Sequence, residues 1–150
     1  MKMKMAATLF TIGYEGLALD RFIARLKAAG VRRVIDVREL PLSHKPGFSK
    51  RPLSRALEAA GLGYEHIPAL GCPRPIRNRY RADNKWPAYA RAFRTHLAKQ
   101  SDAVRDLARG PRTAKACLLC FEADHNRCHR TFVAEAAARA GNLRVVHLSC

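Results

Sequence analysis

The chain has 150 residues, of which 48% are hydrophobic, and it carries a formal net charge of +16 with a pI of about 10.6. This size and composition fit one folded domain and exclude a disordered chain, and no apolar run is long enough for a transmembrane helix. The positive charge suits an anionic small molecule or nucleic acid as partner. A codon-biased, arginine-rich composition explains the charge nearly as well, so the charge alone does not identify a partner.

The first half of the chain alternates between apolar runs and helical patterns. Strands are expected at residues 8–12, 31–37 and 64–67, and a helix at residues 19–29 that Gly30 ends. A second helix follows Ser49, a suitable N-cap residue, and ends at Gly61. Between them, residues 38–48 form a loop that is rich in proline and glycine.

The second half predicts a long irregular loop at residues 68–85, one long helix or two at 86–107, and a nearly all-apolar strand at 115–121. A helix at 128–140 and a last strand at 144–148 follow. Five strands joined by helical crossovers predict an α/β fold. We expect a single domain over residues 1–150, with a five-stranded, mainly parallel sheet flanked by helices on both faces in Rossmann-like layering.

The cysteine pattern bears on the compartment. An odd number of cysteines, unevenly spaced, behind an N-terminus without a secretory pattern argues against a disulfide framework. We therefore expect a cytoplasmic protein with reduced thiols. The five cysteines are Cys72, Cys117, Cys120, Cys128 and Cys150.

Reactive residue types concentrate where the predicted strands end, whereas the strand starts carry little beyond arginine and lysine. Ligands of open parallel sheets bind at the carboxyl ends of the strands, so a functional site is expected along this edge. The candidate catalytic residues are Cys120, Glu122, Cys128 and His129, and the candidate anion-binding residues are Gly13, Tyr14, Asp36, Arg38, Ser43 and Arg130.

The cysteines of this segment raise the question of a metal or a reactive thiol. Cys117 and Cys120 are three apart in a strand and must face opposite ways, so Cys117 is expected in the core, whereas Cys120 and Glu122 share a face. Cys128 lies at a predicted helix start, where a thiolate is favoured, although simple packing explains it too. Zinc ligation with His129 is disfavoured, because the spacing fits no common zinc module and adjacent residues diverge on a helix. No metal or cofactor is predicted.

Two other features keep alternatives open. Asp36 and Arg38 share a face at a strand end and form either a structural ion pair or an anion clamp. The segment around Tyr80 and Trp86 mixes aromatic residues with arginines, as grooves for single-stranded nucleic acid do. Its aromatic residues are expected to pack against the core, which leaves the arginines for contact. Those arginines are Arg74, Arg77, Arg79 and Arg81.

Taken together, these motifs resemble the domain-of-unknown-function family number 488 along nearly the whole chain. The resemblance implies an α/β fold and no particular activity, and its motifs coincide with the carboxyl edge. They read Thr11-Ile12-Gly13-Tyr14, Asp36-Val37-Arg38 with Pro41 and Ser43, Tyr64, Leu70-Gly71, Leu118-Leu119-Cys120-Phe121-Glu122, Cys128-His129-Arg130 and His147.

Three functions are compatible with these patterns, and the sequence does not decide whether the protein is catalytic. The first is an enzyme or binding protein for a phosphate, nucleotide or nucleic-acid ligand, with its site at the strand carboxyl ends. The second is a non-catalytic nucleic-acid-binding module, and the third is a thiol- or sulfur-transfer protein. No membrane partner is expected.

Overall fold

The structure is a computed structural model that describes residues 7–149. Residues 1–6 lie outside this range, and so does Cys150, for which the sequence predicts a reduced thiol. Within residues 7–149, no helix has the length and apolar character needed to cross a membrane.

The centre of the fold is a sheet of five parallel strands in the order β3-β2-β4-β1-β5. The central strand β4 is buried along its whole length, as its apolar sequence predicts. The predicted mainly parallel sheet is thus confirmed, and its described strands are all parallel. The strands are β1 (Thr8–Gly13), β2 (Arg33–Asp36), β3 (Gly63–His66), β4 (Ala116–Cys120) and β5 (Arg144–His147).

Helices cover both faces of the sheet, which confirms the predicted layering. The first two helices contribute to one hydrophobic core, and the other four pack around a second core on the opposite face. The helices are α1 (Leu19–Ala28), α2 (Lys50–Ala59), α3 (Arg74–Asp83), α4 (Trp86–Ala98), α5 (Ser101–Arg109) and α6 (Arg130–Gly141).

Alternation along β4 decides which side chains face which core. Cys117 and Leu119 belong to the core under α1 and α2, whereas Leu118 and Cys120 belong to the core under α4 and α6. The expectation that Cys117 is a core thiol on the face opposite to Cys120 is therefore confirmed. Cys120 ends its strand next to α6 and the loop that precedes it.

The predicted irregular loop at residues 68–85 is wrong. Pro68–Leu70 form a 3-10 turn and Arg74–Asp83 form α3. Helix α3 has no buried residue and so lacks the apolar stripe by which helices are recognised, but arginine favours helix and Pro75 is tolerated in a first turn.

Two further helix boundaries refine the sequence-based expectations. Residues 86–107 form two helices, α4 and α5, rather than one. Ser49 stands at the N-cap of α2, but its hydroxyl makes no capping hydrogen bond. It instead accepts from the Ser43 backbone N–H and donates to the Ser43 carbonyl, and so closes the loop after β2.

Candidate functional site

A cleft of about 550 Å³ opens at the carboxyl edge of the sheet. The loop after β2 and helix α3 form its sides, and the end of β4 with the segment before α6 forms its floor. Among the residues proposed from the sequence, those that line the cleft are Tyr14, Arg38, Ser43, Cys120, Glu122 and His129.

The four candidate catalytic residues converge at the floor of this cleft. The Cys120 thiol donates a hydrogen bond to Glu122 Oε2 at 3.3 Å and lies 3.7 Å from His129 Nδ1. Cys128 Sγ lies 4.0 Å from the same nitrogen. Both cysteines and the histidine are buried, at no more than 5% exposure, and Glu122 is half-buried. The floor is therefore compact enough for these groups to act together.

The orientation of the His129 ring is fixed from β2. Its Nε2 lies 2.6 Å from the Val37 carbonyl oxygen. Because a carbonyl oxygen only accepts hydrogen bonds, Nε2 carries the ring proton and donates a hydrogen bond to Val37. In the neutral ring, Nδ1 is then an acceptor that faces the two thiols. Phe93 supports the ring with its edge at a centroid distance of 5.2 Å.

The predicted position of Cys128 at a helix start and the expected divergence of its side chain from that of His129 are wrong, because the helix begins later than predicted. Cys128 is extended, with φ −136° and ψ 139°, and His129 is the N-cap residue of α6. The two side chains therefore turn to the same side instead of diverging. Cys128 therefore precedes the helix terminus, and burial and the neighbouring Cys120 thiol raise the pKa of Cys128 well above its ordinary value. Burial lowers the pKa of His129, but Cys128 and the Val37 carbonyl raise it to a net value above the ordinary one.

Asp36 and Arg38 form a buried, bidentate ion pair. Arg38 donates from Nε and Nη2 to the two Asp36 carboxylate oxygens at 2.8 and 2.7 Å, and its Nη1 donates to Phe48 O at 2.7 Å and to the Tyr14 hydroxyl at 3.2 Å. Tyr64 donates a further hydrogen bond to Asp36 at 2.6 Å. Because most donors of the guanidinium are engaged within the protein, the geometry favours the structural ion pair over the anion clamp.

Arg130 lies beneath the floor and does not line the cleft. Its fully buried guanidinium donates to the carbonyls of Glu122 and Ala123 and, from Nε at 3.1 Å, to the Thr11 hydroxyl. Gly13 is equally close to this segment, since a Cβ on Gly13 would lie 1.8 Å from the Glu122 carbonyl oxygen. Both residues therefore position Glu122, and neither presents a group to the cleft.

Tyr14 and Ser43 complete the predicted set at the β2 side of the cleft. Tyr14 stacks on Phe48 at a centroid distance of 4.4 Å. The Ser43 hydroxyl accepts from the Lys45 backbone N–H at 3.1 Å and so orders its own loop. Both side chains line the cleft.

Positive charge dominates the rim of the cleft. Of its charged residues, only Glu39 and Glu122 are acidic, and the basic ones outnumber them. The sequence singled out Arg77 and Arg81 but not the other members, because Lys45 and Arg127 lie in loops where no periodicity marks a common side. The basic residues at the rim besides Arg38 are Lys45, Arg77, Arg81 and Arg127, with His44 beside them.

A cluster of aromatic residues separates the cleft from the core under α4. Trp86 stacks on Tyr89 at 4.8 Å and packs edge-on against Tyr80 at 5.6 Å, while the Arg127 guanidinium lies 5.8 Å from the Trp86 ring. The expectation that these aromatic residues pack against the protein is confirmed. Cys72, which the sequence did not assign to the site, contacts Tyr89 here, and burial raises the pKa of its thiol to about 11.

These features define an α/β protein with a basic, thiol-containing cleft at the carboxyl edge of a parallel sheet. A family model described as "Domain of unknown function DUF488" matches residues 18–137, which run from the start of α1 to within α6. The chain belongs to this family, as its motifs indicate. No curated protein and no solved structure is significantly similar to it.

Proposed function

We propose that this DUF488 protein is an enzyme that acts on an anionic substrate in the cleft at the carboxyl edge of the sheet. The observation that carries the proposal is the convergence of Cys120, Glu122, Cys128 and His129 below a rim of basic side chains. The rim supplies attraction for the substrate, and the floor supplies groups that transfer protons.

The charge of the substrate follows from the rim. Arg81 and Arg127 are both exposed and border the cleft, where a ligand can reach them. A guanidinium binds phosphate and carboxylate oxygens through paired hydrogen bonds, so a phosphate ester or a nucleotide suits this rim best.

Glu122 is the group that we assign to proton transfer. Its carboxylate lines the cleft and is half-buried, and its backbone is held by Arg130 from below and is in contact with Gly13. A carboxylate in a fixed position accepts a proton from an attacking group more effectively than a mobile one. The Cys120 thiol beside it shows that the carboxylate is within reach of a proton donor at the floor.

Binding can be tested by the fluorescence of Trp86, the only tryptophan, which lies beside Arg127 at the rim. Titration with pyrophosphate is expected to change the fluorescence saturably. An Arg81→Ala variant should bind about three- to fivefold more weakly, because a partly exposed charge contact contributes up to about 1 kcal/mol. Arg91→Ala, an exposed residue of α4 away from the cleft, is the matched control. Absence of saturable binding to wild-type protein would contradict the proposal.

Catalysis can be tested with a panel of phosphate mono- and diesters that release a chromophore. A substrate turned over by wild-type protein should lose activity by about 100-fold or more in Glu122→Gln, because general acid–base catalysis contributes roughly 10²–10⁴-fold. Glu39→Gln, which replaces the other acidic residue of the rim, should retain most of the activity. Equal losses in the two variants would remove the assignment to Glu122.

A second candidate, nucleic-acid binding without catalysis, is favoured by one observation. Helix α3 has no buried residue, and it exposes Arg74, Arg79 and Arg81 to solvent. Anisotropy of a labelled single-stranded oligonucleotide should then fall steeply with salt. Arg74→Ala, which lies off the cleft, should weaken this binding but leave pyrophosphate binding unchanged, whereas Arg81→Ala should weaken both.

A further inference from the structure

The thiols at the floor of the cleft have a feature that the proposed acid–base chemistry does not use. Among the described residues, Cys120 Sγ, Cys128 Sγ and His129 Nδ1 all lie within 4.8 Å of one another. We propose that these three atoms bind a zinc ion whose fourth position opens into the cleft.

The distances fit this ion. Ligand bonds of about 2.3 Å to sulfur and about 2.0–2.1 Å to nitrogen place tetrahedral ligand atoms roughly 3.5–3.8 Å apart. The separations from His129 Nδ1 to Cys120 Sγ and Cys128 Sγ are 3.7 and 4.0 Å, and the two sulfurs lie within 4.8 Å of each other. Ligand movements of at most about 1 Å would therefore bring the three atoms to tetrahedral separations. A set of two thiolates and one imidazole suits zinc better than the hard cations magnesium and calcium.

The surroundings of His129 also match those of a zinc ligand. Histidines that bind metals usually donate their other ring N–H to a carbonyl or carboxylate, which fixes the tautomer and the ring orientation. His129 does this through Nε2 to the Val37 carbonyl, so the Nδ1 lone pair is left to face the two sulfurs. Phe93 packs against the ring and adds an apolar boundary to the site.

The ligands come from an arrangement that the sequence spacing conceals. Cys120 ends β4, and the 3-10 turn His125–Arg127 brings the chain back beneath it. Because Cys128 is extended and His129 is the N-cap of α6, these neighbours approach from the same side. Cys128 and His129, eight and nine positions after Cys120, thereby complete a three-ligand set in which Cys117 of the Cys117-x-x-Cys120 pair takes no part.

The open side of the site determines its chemistry, and this part rests on the proposed function. Cys120, Glu122 and His129 line the cleft, so three protein ligands would leave room for water, as in catalytic rather than structural zinc sites. On zinc binding, Cys120 and Cys128 would each release a proton to solvent, and the hydrogen bond from Cys120 to Glu122 would end. Glu122 would then accept a proton from water held at the fourth position. The resulting hydroxide would form a bond to the ester phosphorus while the bond from phosphorus to the leaving alkoxide breaks, and Glu122 would return the proton to that alkoxide.

Cobalt substitution tests the site directly. Metal-free protein titrated with Co²⁺ should develop a thiolate-to-cobalt charge-transfer band and intense visible bands of tetrahedral cobalt, saturating at one ion per chain. Zn²⁺ should then displace the cobalt. Cobalt bound through histidines alone gives no thiolate band, so saturation without that band, or the lack of binding, would overturn the proposal.

Variants identify the ligands. Cys120→Ser and Cys128→Ser should each weaken zinc binding by about 100-fold or more and abolish or shift the thiolate band, while circular dichroism confirms that they fold. Cys72→Ala, which removes another buried thiol of the same cleft, should keep the wild-type cobalt spectrum. Retention of the spectrum in both serine variants, or its loss in Cys72→Ala, would overturn the assignment of three ligands and an open position.

The metal site and the proposed function can fail separately. Glu122→Gln should leave cobalt affinity within a few-fold of wild type, because Glu122 is not a ligand, but should lower ester turnover by about 100-fold or more. Pyrophosphate binding to the metal-free protein reports on the basic rim alone. A thiolate band without any anion binding would support the metal site and contradict the function, and the converse result would contradict only the metal site.

Discussion

At the scale of single residues, the site is held together by two buried arginines with different partners. Arg38 is neutralised by Asp36, and this carboxylate raises the net pKa of Arg38 even though burial alone lowers it. Arg130 contacts carbonyls and a hydroxyl and forms no ion pair with any carboxylate of residues 7–149. The first arginine fixes the β2 side of the cleft, and the second fixes the segment that carries Glu122.

The buried pair predicts a large effect of one neutral substitution. Asp36→Asn should reduce the free energy of unfolding by about 3–5 kcal/mol, because it leaves the Arg38 charge buried without a counter-ion. Urea denaturation measures this loss. Glu65→Gln breaks the exposed Arg33–Glu65 ion pair on the adjacent strands and should cost less than about 1 kcal/mol. Similar costs for the two variants would show that Asp36 is not the counter-ion.

His147 at the end of the edge strand β5 predicts a pH dependence of stability. Burial, then the charges of His125 and Arg130, lower its pKa from 6.5 to about 4, and the His125 ring stacks on it at 3.8 Å. The unfolded chain therefore binds a proton more readily, so this contribution to stability is complete above pH 6.5 and is lost as the pH falls towards 4.

Melting temperatures of wild type and His147→Gln should converge as the pH is lowered through this range. Glutamine preserves a hydrogen-bonding side chain opposite Thr11, with which His147 Nδ1 is in contact at 2.6 Å. A constant difference between the two proteins from pH 7 to pH 4 would contradict the lowered pKa of His147.

Residue-level predictions from the sequence succeeded where the geometry depends on parity. The offset of two between Asp36 and Arg38 and the offset of three between Cys117 and Cys120 define faces of a strand, and both relations hold in the structure. The contact between Cys128 and His129 could not be predicted in this way. It depends on where α6 begins, and a shift of two residues reverses the conclusion about adjacent side chains.

At the scale of elements, the carboxyl end of β1 and the segment after β4 form one unit. The backbone N–H groups of Tyr14 and Glu15 donate to the carbonyls of Cys120 and Phe121 at 3.1 and 2.8 Å. Gly13 permits this approach because its missing Cβ leaves room for the Glu122 carbonyl. Glu122 is therefore positioned by a neighbouring strand as well as by its own.

Gly13→Ala is expected to disturb this unit. The added Cβ must displace backbone atoms of Glu122, so we expect a loss of about 1–3 kcal/mol in unfolding free energy together with weaker pyrophosphate binding. Gly63→Ala in β3 is the control, because its Cβ would meet the flexible Arg33 side chain at 3.3 Å. Both quantities can be measured on the same preparations by denaturation and Trp86 fluorescence. Unchanged pyrophosphate binding in a destabilised Gly13→Ala protein would show that the contact between Gly13 and Glu122 stabilises the fold but does not position the binding site.

Helix α3 shows why part of the cleft could not be predicted from the sequence. Recognition of a helix from a single sequence depends on an apolar stripe, and α3 has only half-buried contacts such as Ile76 and Tyr80. The residues of α3 that border the cleft were predicted as members of a basic loop. The sequence therefore predicts their positive charge but not that they lie on the same side of a helix.

At the scale of the whole molecule, the strand order gathers the site. The ends of β2, β4 and β1 are neighbours in the sheet although they are far apart in the sequence. The direction of parallel strands alone predicts that Asp36, Cys120 and Gly13 lie on one edge, and the structure places them there. Distances of 3–4 Å between side chains depend on packing and loop closure, which periodicity does not describe.

Zinc should stabilise the whole protein if the floor binds it. At a free concentration one hundred times the dissociation constant, binding adds about 2.7 kcal/mol to the unfolding free energy. For a chain of this size that corresponds to a rise of roughly 5–10 °C in melting temperature. The rise should be reversed by a chelator and be absent in Cys120→Ser. An equal rise in that variant would place the stabilising ion elsewhere.

The anchoring of the Glu122 segment by buried Arg130 has an entropic consequence. Arg130 holds the carbonyls of Glu122 and Ala123, so this segment loses its backbone freedom when the protein folds. A ligand that meets Glu122 encounters a preorganised surface and need not order it. The segment thus loses its conformational entropy when the protein folds and not when a ligand binds. Calorimetry of ligand binding should therefore show little entropic penalty from ordering this side of the cleft.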